Sequence, residues 1–153
     1  MSNPNVKPSD RAVFIGEIPP ISASSAKSTG YIPMGPQPGG FDSIQALVQA
    51  GVTASGGTID AKLEQADTAA GGNVKDIVGK AITQLTAVNG NAGPRNAILN
   101  CRSEELDVAG GFCYVRLTIT PATAASVIAG AILGHDARYQ PADDLSTVAQ
   151  VVG

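Results

Sequence analysis

Phe112-Cys113-Tyr114-Val115-Arg116-Leu117-Thr118-Ile119-Thr120 alternates apolar and polar side chains. Cys113, Val115, Leu117 and Ile119 share one parity, and Tyr114, Arg116, Thr118 and Thr120 the other. Successive side chains of a strand point to opposite faces, so this period describes a half-buried antiparallel strand. Pro121 has no amide hydrogen to donate and marks its expected end. A second apolar run, rich in Val and Ile, covers residues 124–133. The two runs are expected to form a hairpin with a short connection. Upstream, Ile59, Ala61 and Leu63 alternate with Asp60, Lys62 and Glu64 across residues 58–67, which reads as another half-buried strand. Ile44, Ala46, Val48 and Ala50 suggest a strand from Phe41 onward, and residues 97–106 one more. Ser55-Gly56-Gly57, Asn89-Gly90-Asn91-Ala92-Gly93-Pro94 and Ala109-Gly110-Gly111 supply turns between them. Strands separated by Gly-rich turns, with no βαβ alternation, predict an all-β chain: a jelly-roll-like antiparallel β-sandwich with an extended N-terminal arm.

One segment resists this pattern. Val74, Ile77, Val78, Ala81, Ile82 and Leu85 recur at the spacing of an amphipathic helix. Gly79 in the middle opposes a helix by up to about 1 kcal/mol relative to Ala. Ile82-Thr83-Gln84-Leu85-Thr86 also reads as a short strand. The period taken alone favours helix.

Seven of the ten prolines fall within the first 40 residues: Pro4, Pro8, Pro19, Pro20, Pro33, Pro36 and Pro38. Each fixes φ and lacks an amide hydrogen, which argues against long helices and central strands. The same stretch carries Val13, Phe14, Ile15, Ile18, Ile21, Tyr31, Ile32 and Met34, apolar groups for which a solvated tail has little use. The chain is therefore divided into an extended Pro-rich arm (1–40), a β-sandwich domain (41–141) and a C-terminal tail (142–153). Val13, Phe14, Ile15, Ile18, Tyr31, Ile32 and Met34 are the candidate anchors by which the arm would bind a protein partner. The tail, with Val148, Val151 and Val152, reads as a short helix or a docking segment.

The chain has 153 residues, enough for one core, and 43% of them are apolar. Only 15% are charged, against about 25% in typical soluble domains. Low charge fits either a subunit that buries surface against partners or a Gly/Ala/Thr-rich β protein. The net charge is −3 and no Lys/Arg run exists, so direct nucleic-acid binding is not expected. The opening Met1-Ser2-Asn3-Pro4-Asn5 lacks the basic and apolar regions of a secretory leader, and the longest apolar stretch is too short to cross a bilayer. Synthesis in a cytoplasm and no membrane contact are expected. Cys101 and Cys113, each in an apolar run, are expected to be buried free thiols, with Cys113 on the core face of its strand.

No catalytic or metal constellation emerges. His135 adjoins Asp136, but no Ser or Cys stands in a nucleophile elbow, and adjacent turn residues rarely orient each other as a triad requires. Glu104 and Glu105 would point to opposite faces of a strand. Asp42, Asp60, Asp143 and Asp144 show no calcium-loop spacing. Gly56-Gly57, Gly71-Gly72 and Gly110-Gly111 open no phosphate-binding motif. Arg116 reads as a solubilising charge or as a bidentate donor across an interface. No catalytic residue, metal or cofactor is assigned, and the chain is expected not to be an enzyme.

The order of Thr58-Ile59-Asp60-Ala61-Lys62-Leu63-Glu64-Gln65-Ala66-Asp67, Val74-Lys75-Asp76-Ile77-Val78-Gly79-Lys80-Ala81-Ile82-Thr83-Gln84-Leu85, Cys113-Tyr114-Val115-Arg116-Leu117 and Ser126-Val127-Ile128-Ala129-Gly130-Ala131-Ile132-Leu133-Gly134 resembles a group of small tailed-bacteriophage virion proteins encoded among head genes. The resemblance spans about residues 44–140 and leaves out the arm. Asn73-Val74 and Phe112-Cys113-Tyr114 depart from its pattern. It implies a capsid accessory subunit without an active site, favours a trimer, and makes residues 74–86 a loop plus a short strand. The expected function is a virion structural protein on the capsid surface: a decoration, cement or minor capsid subunit that binds and stabilises the lattice of a major capsid protein, and itself a homo-oligomer. The alternatives are a carbohydrate-binding β-sandwich module and a head–tail connector or tail component.

Overall fold

The computed structural model describes residues 7–86, 95–139 and 142–152, and within them the chain is all-β. The strands are β1 (Ala12–Ala23), β2 (Lys27–Ser28), β3 (Ile32–Pro33), β4 (Phe41–Thr53), β5 (Thr58–Ala66), β6 (Lys75–Ala81), β7 (Leu85–Thr86), β8 (Asn96–Arg102), β9 (Tyr114–Ala122) and β10 (Ser126–Ala137). Single 3-10 turns lie at Pro8–Asp10 and Ser103–Glu105. The first sheet runs β1-β10-β4-β8. In the second, β2 and β3 pair with one edge of β9, β5 with the other, and β6 and β7 with the far edge of β5. The pairing is nested: β1 with β10, β2 and β3 with β9, β4 with β8, and β5 with β6 and β7, all antiparallel.

The two sheets share one core, so the fold is an antiparallel β-sandwich. Val115, Leu117 and Ile119 of β9 are fully buried, as are Ala46 and Val48 of β4 and Ile128 and Ile132 of β10. β10 carries glycine at two inward positions where neighbouring side chains press close. A Cβ at Gly130 would meet Leu117 of the opposite sheet at 2.9 Å, and one at Gly134 would meet the Phe41 ring at 2.5 Å and Ile15 at 2.7 Å.

Several expectations need correction. The first concerns the arm. Residues 12–23 form β1, hydrogen-bonded along β10 from Ala12↔His135 to Ala23↔Ser126. Val13, Ile15, Ile18, Ile32 and Met34 belong to the domain's own core. Pro19 and Pro20 are tolerated because β1 is an edge strand and its register shifts between Ile18 and Ile21. The domain therefore begins well before residue 41, although residues 1–6 lie outside the described part.

The second correction concerns the expected hairpin. β9 and β10 lie in different sheets, and the chain crosses the stack between them, with Thr123 left-handed at φ 67°. The crossing sets β10 between β1 and β4 and leaves β9 beside β5. β1, β4 and β10 have 12, 13 and 12 residues and pair along most of their length, as do β5 and β9 with 9 each. Pro121 lies inside β9 opposite Ile59 and does not end the strand.

Residues 74–86 are not helical. Ile77 is buried while the adjacent Val78 is 95% exposed, the alternation of a strand. Gly79 adopts φ 76°, which a helix does not allow. Lys62↔Ala81 and Glu64↔Asp76 frame a large bulge in β6. Of the cysteines, both free, it is Cys101 that is buried at 1% exposure. Cys113 precedes β9 and is only half-buried, which corrects its expected place in the core.

Candidate interaction surface

No group of three or more His, Cys, Asp or Glu side chains gathers among the described residues. His135 stands in β10 opposite Ala12 and Ser43, lining a shallow cleft with Cys101, Arg102 and Glu105. Burial, with Glu105 nearby, pushes the Cys101 thiol up to about 11, so it stays protonated and is a poor nucleophile at neutral pH. Several carboxylates are committed locally. Glu105 pairs with Lys80 at 2.7 Å and accepts the Arg102 amide at 2.8 Å; Glu104 meets Arg102 at 3.2 Å. Asp144 accepts the Phe14 amide at 2.7 Å, and Asp60 accepts the Gln84 side chain at 2.8 Å. No described helix is long and apolar enough to cross a membrane.

The seven candidate anchors do not form a surface for a partner. Five are core residues. Phe14 and Tyr31 are half-buried. Ile15, Tyr31 and Ile32 line an apolar cleft of about 440 Å³ whose other wall is the chain's own C-terminal segment, with Ala142 and Leu145. That segment is no helix in its described residues; it docks on β1, where the Leu145 amide donates to the Phe14 carbonyl at 2.7 Å.

The outward faces of the two sheets differ in chemistry. On the second sheet Glu64 is held by the Arg116 guanidinium at 2.8 Å, the Thr118 hydroxyl at 2.7 Å and Lys62 at 3.1 Å. Lys62 also reaches Asp76 at 2.6 Å, and the Arg116 guanidinium lies 4.9 Å from the centre of the Tyr31 ring. Burial by itself would raise the Glu64 pKa, but the bonds from Thr118, Arg116 and Lys62 outweigh it and hold the carboxyl below its ordinary value. Glu64, Arg116, Lys62 and Asp76 thus neutralise one another within the chain.

The outward face of the first sheet has almost no charge to neutralise. Its central row crosses all four strands as Glu17–Ala131–Leu47–Ile98, and the next as Phe14–Leu133–Gln45–Asn100. Val127 and Ala129 extend the apolar stripe along β10. Glu17 at one edge is the only charge in the two rows. Ile98 is 60% exposed and Val127 37%, while Phe14, Leu47, Ala131 and Leu133 are half-exposed. Sequence reading missed this face because β10 is apolar on both parities: Ile128 and Ile132 turn inward, Val127, Ala129, Ala131 and Leu133 outward. Comparison with protein-family models, curated proteins and solved structures finds no match to the chain.

Proposed function

We propose that the protein is a virion structural subunit, a capsid decoration, cement or minor capsid protein that attaches to a lattice of major capsid protein through the outward face of the β1-β10-β4-β8 sheet. The uncharged row Ala131–Leu47–Ile98 with Leu133 beside it carries the reading. Depletion of charge at the centre of a surface is the compositional mark of a protein interface. The nested strand pairing adds support: a jelly roll is built by wrapping a long antiparallel hairpin into two sheets, and that architecture is found in viral capsid and lectin domains. Fold alone assigns no function, so the surface bears the argument.

The test is co-sedimentation of the purified protein with capsid shells assembled from the major capsid protein of the same genome. Wild-type protein is expected to pellet with the shells. Leu47→Lys and Ala131→Glu place charges in the centre of the face without touching the core, and each is expected to reduce the bound fraction by about tenfold or more, the cost of a desolvated unpaired charge. Undiminished binding by both variants, with wild-type circular dichroism, would remove the face from the reading.

A further inference from the structure

Among the described residues, the first sheet has one closed edge and one open edge. On the β1 side, the Phe14 amide and carbonyl are taken up by Asp144 and Leu145, and Pro19 and Pro20 lack amide hydrogens further along. Covering elements and prolines are the usual means of keeping an edge strand from pairing with another chain. On the other side, β8 hydrogen-bonds among the described residues to β4 alone.

Alternation of the antiparallel ladder identifies which β8 groups are unused. The Arg95 carbonyl accepts the Ala50 amide, so odd-numbered residues direct their backbone groups at β4. Even-numbered residues direct theirs away, and the Arg102 amide accordingly meets the Glu105 carboxylate instead of β4. Asn96, Ile98 and Asn100 therefore present three successive sets of outward amide and carbonyl groups. Ile98 stands in the middle with 60% of its surface exposed. The Arg102–Glu105 bond marks the end of the open stretch.

We propose that β8 pairs antiparallel with β8 of a second copy of this chain, with Ile98 on the two-fold axis and Asn96 opposite Asn100. Charge and parity select this occupant. Residues 96–100 contain no charge, so two copies meet without like charges opposed. In this register every outward group on one strand faces an outward group on the other, and Ile98 packs beside Ile98 of the second copy, a β-branched cross-strand pair of the favourable kind. The row Ala131–Leu47–Ile98 then runs on through the second copy, joining two four-stranded sheets into one of eight strands. A dimer built on so short a stretch belongs to the small end of protein interfaces and is expected to associate in the micromolar range.

The inference stands apart from the capsid reading, because it concerns the isolated protein. Sedimentation equilibrium of the full-length chain is expected to show a monomer–dimer equilibrium. Ile98→Lys opposes two ammonium groups across the axis and is expected to weaken it by about tenfold or more. Asn100→Pro removes an outward amide without touching the ladder to β4 and is expected to do the same. Both are judged only with wild-type circular dichroism; should the proline variant unfold, the lysine variant, at an exposed position, decides. Hydrogen exchange supplies a second readout: the amides of Asn96, Ile98 and Asn100 are expected to be protected in the dimer and to exchange freely in Ile98→Lys. A wild-type chain that stays monomeric into the millimolar range overturns the proposal. So does a dimer that survives substitution in folded protein, or one whose Ile98 and Asn100 amides exchange freely.

Discussion

Glu64 shows what a single residue contributes here. Its residue exposure is 8%, and its carboxylate accepts from Thr118, Arg116 and Lys62. An uncompensated buried carboxylate would be costly, but three donors offset the desolvation. Because its folded pKa lies below the ordinary 4.5, Glu64 contributes stability that is fully present above that value and is lost as pH falls through the depressed folded value. Glu64→Gln keeps the shape but leaves the Arg116 guanidinium without its counter-charge. It is expected to cost about 1–3 kcal/mol at neutral pH and to flatten the acid limb of a Tm-versus-pH curve. Thermal melts across a pH series check both; an unchanged acid limb would assign the acid sensitivity to other carboxylates.

At the scale of the element, β10 is the strand on which the sandwich turns. It pairs with β1 on one side and β4 on the other, and its inward glycines admit side chains from neighbouring elements. The gap at Gly134 is filled by the Phe41 ring and Ile15, so a methyl group there has nowhere to go. Gly134→Ala is expected to destabilise the chain by about 1–3 kcal/mol, the usual cost of overpacking. Combining it with Phe41→Leu, which frees space, is expected to recover part of the loss. Denaturant unfolding measures both, and a Gly134→Ala chain as stable as wild type would mean that the Phe41 ring and the Ile15 side chain can shift aside.

For the whole molecule, the decisive feature is that the Pro-rich N-terminal stretch is domain and not appendage. Val13, Ile15, Ile18, Ile32 and Met34 are all buried. At about 1.5–3 kcal/mol each, their burial matches the entire net stability of a typical domain, about 5–15 kcal/mol. Removal of residues 1–38 also strips β10 of one pairing partner. The truncated chain is therefore expected to lose cooperative unfolding and near-UV circular dichroism. A truncated protein that melts cooperatively would show that the remaining strands can close the core alone.

The sequence by itself determined the strands whose alternation is unambiguous. In β5 and β9 only one parity is apolar, so burial leaves one solution, and the inward faces of Ile59, Ala61 and Leu63 and of Val115, Leu117 and Ile119 follow from it. Tertiary structure decided the rest, because those questions turn on which strands become neighbours. The helical spacing of Val74, Ile77 and Val78 was overridden by pairing with β5, to which residues 75–81 add as an edge with a bulge at Gly79. The short link between β9 and β10 suits a hairpin or a crossing of the stack equally well, and the pairing of β10 with β1 and β4 makes it a crossing. Prolines in β1 argue against a central strand but not against an edge. On β10, where both parities are apolar, the pattern leaves open which face meets the core; only the seating of Leu117 and Ile119 against Gly130 turned Leu133 and Ala131 outward and so created the uncharged face.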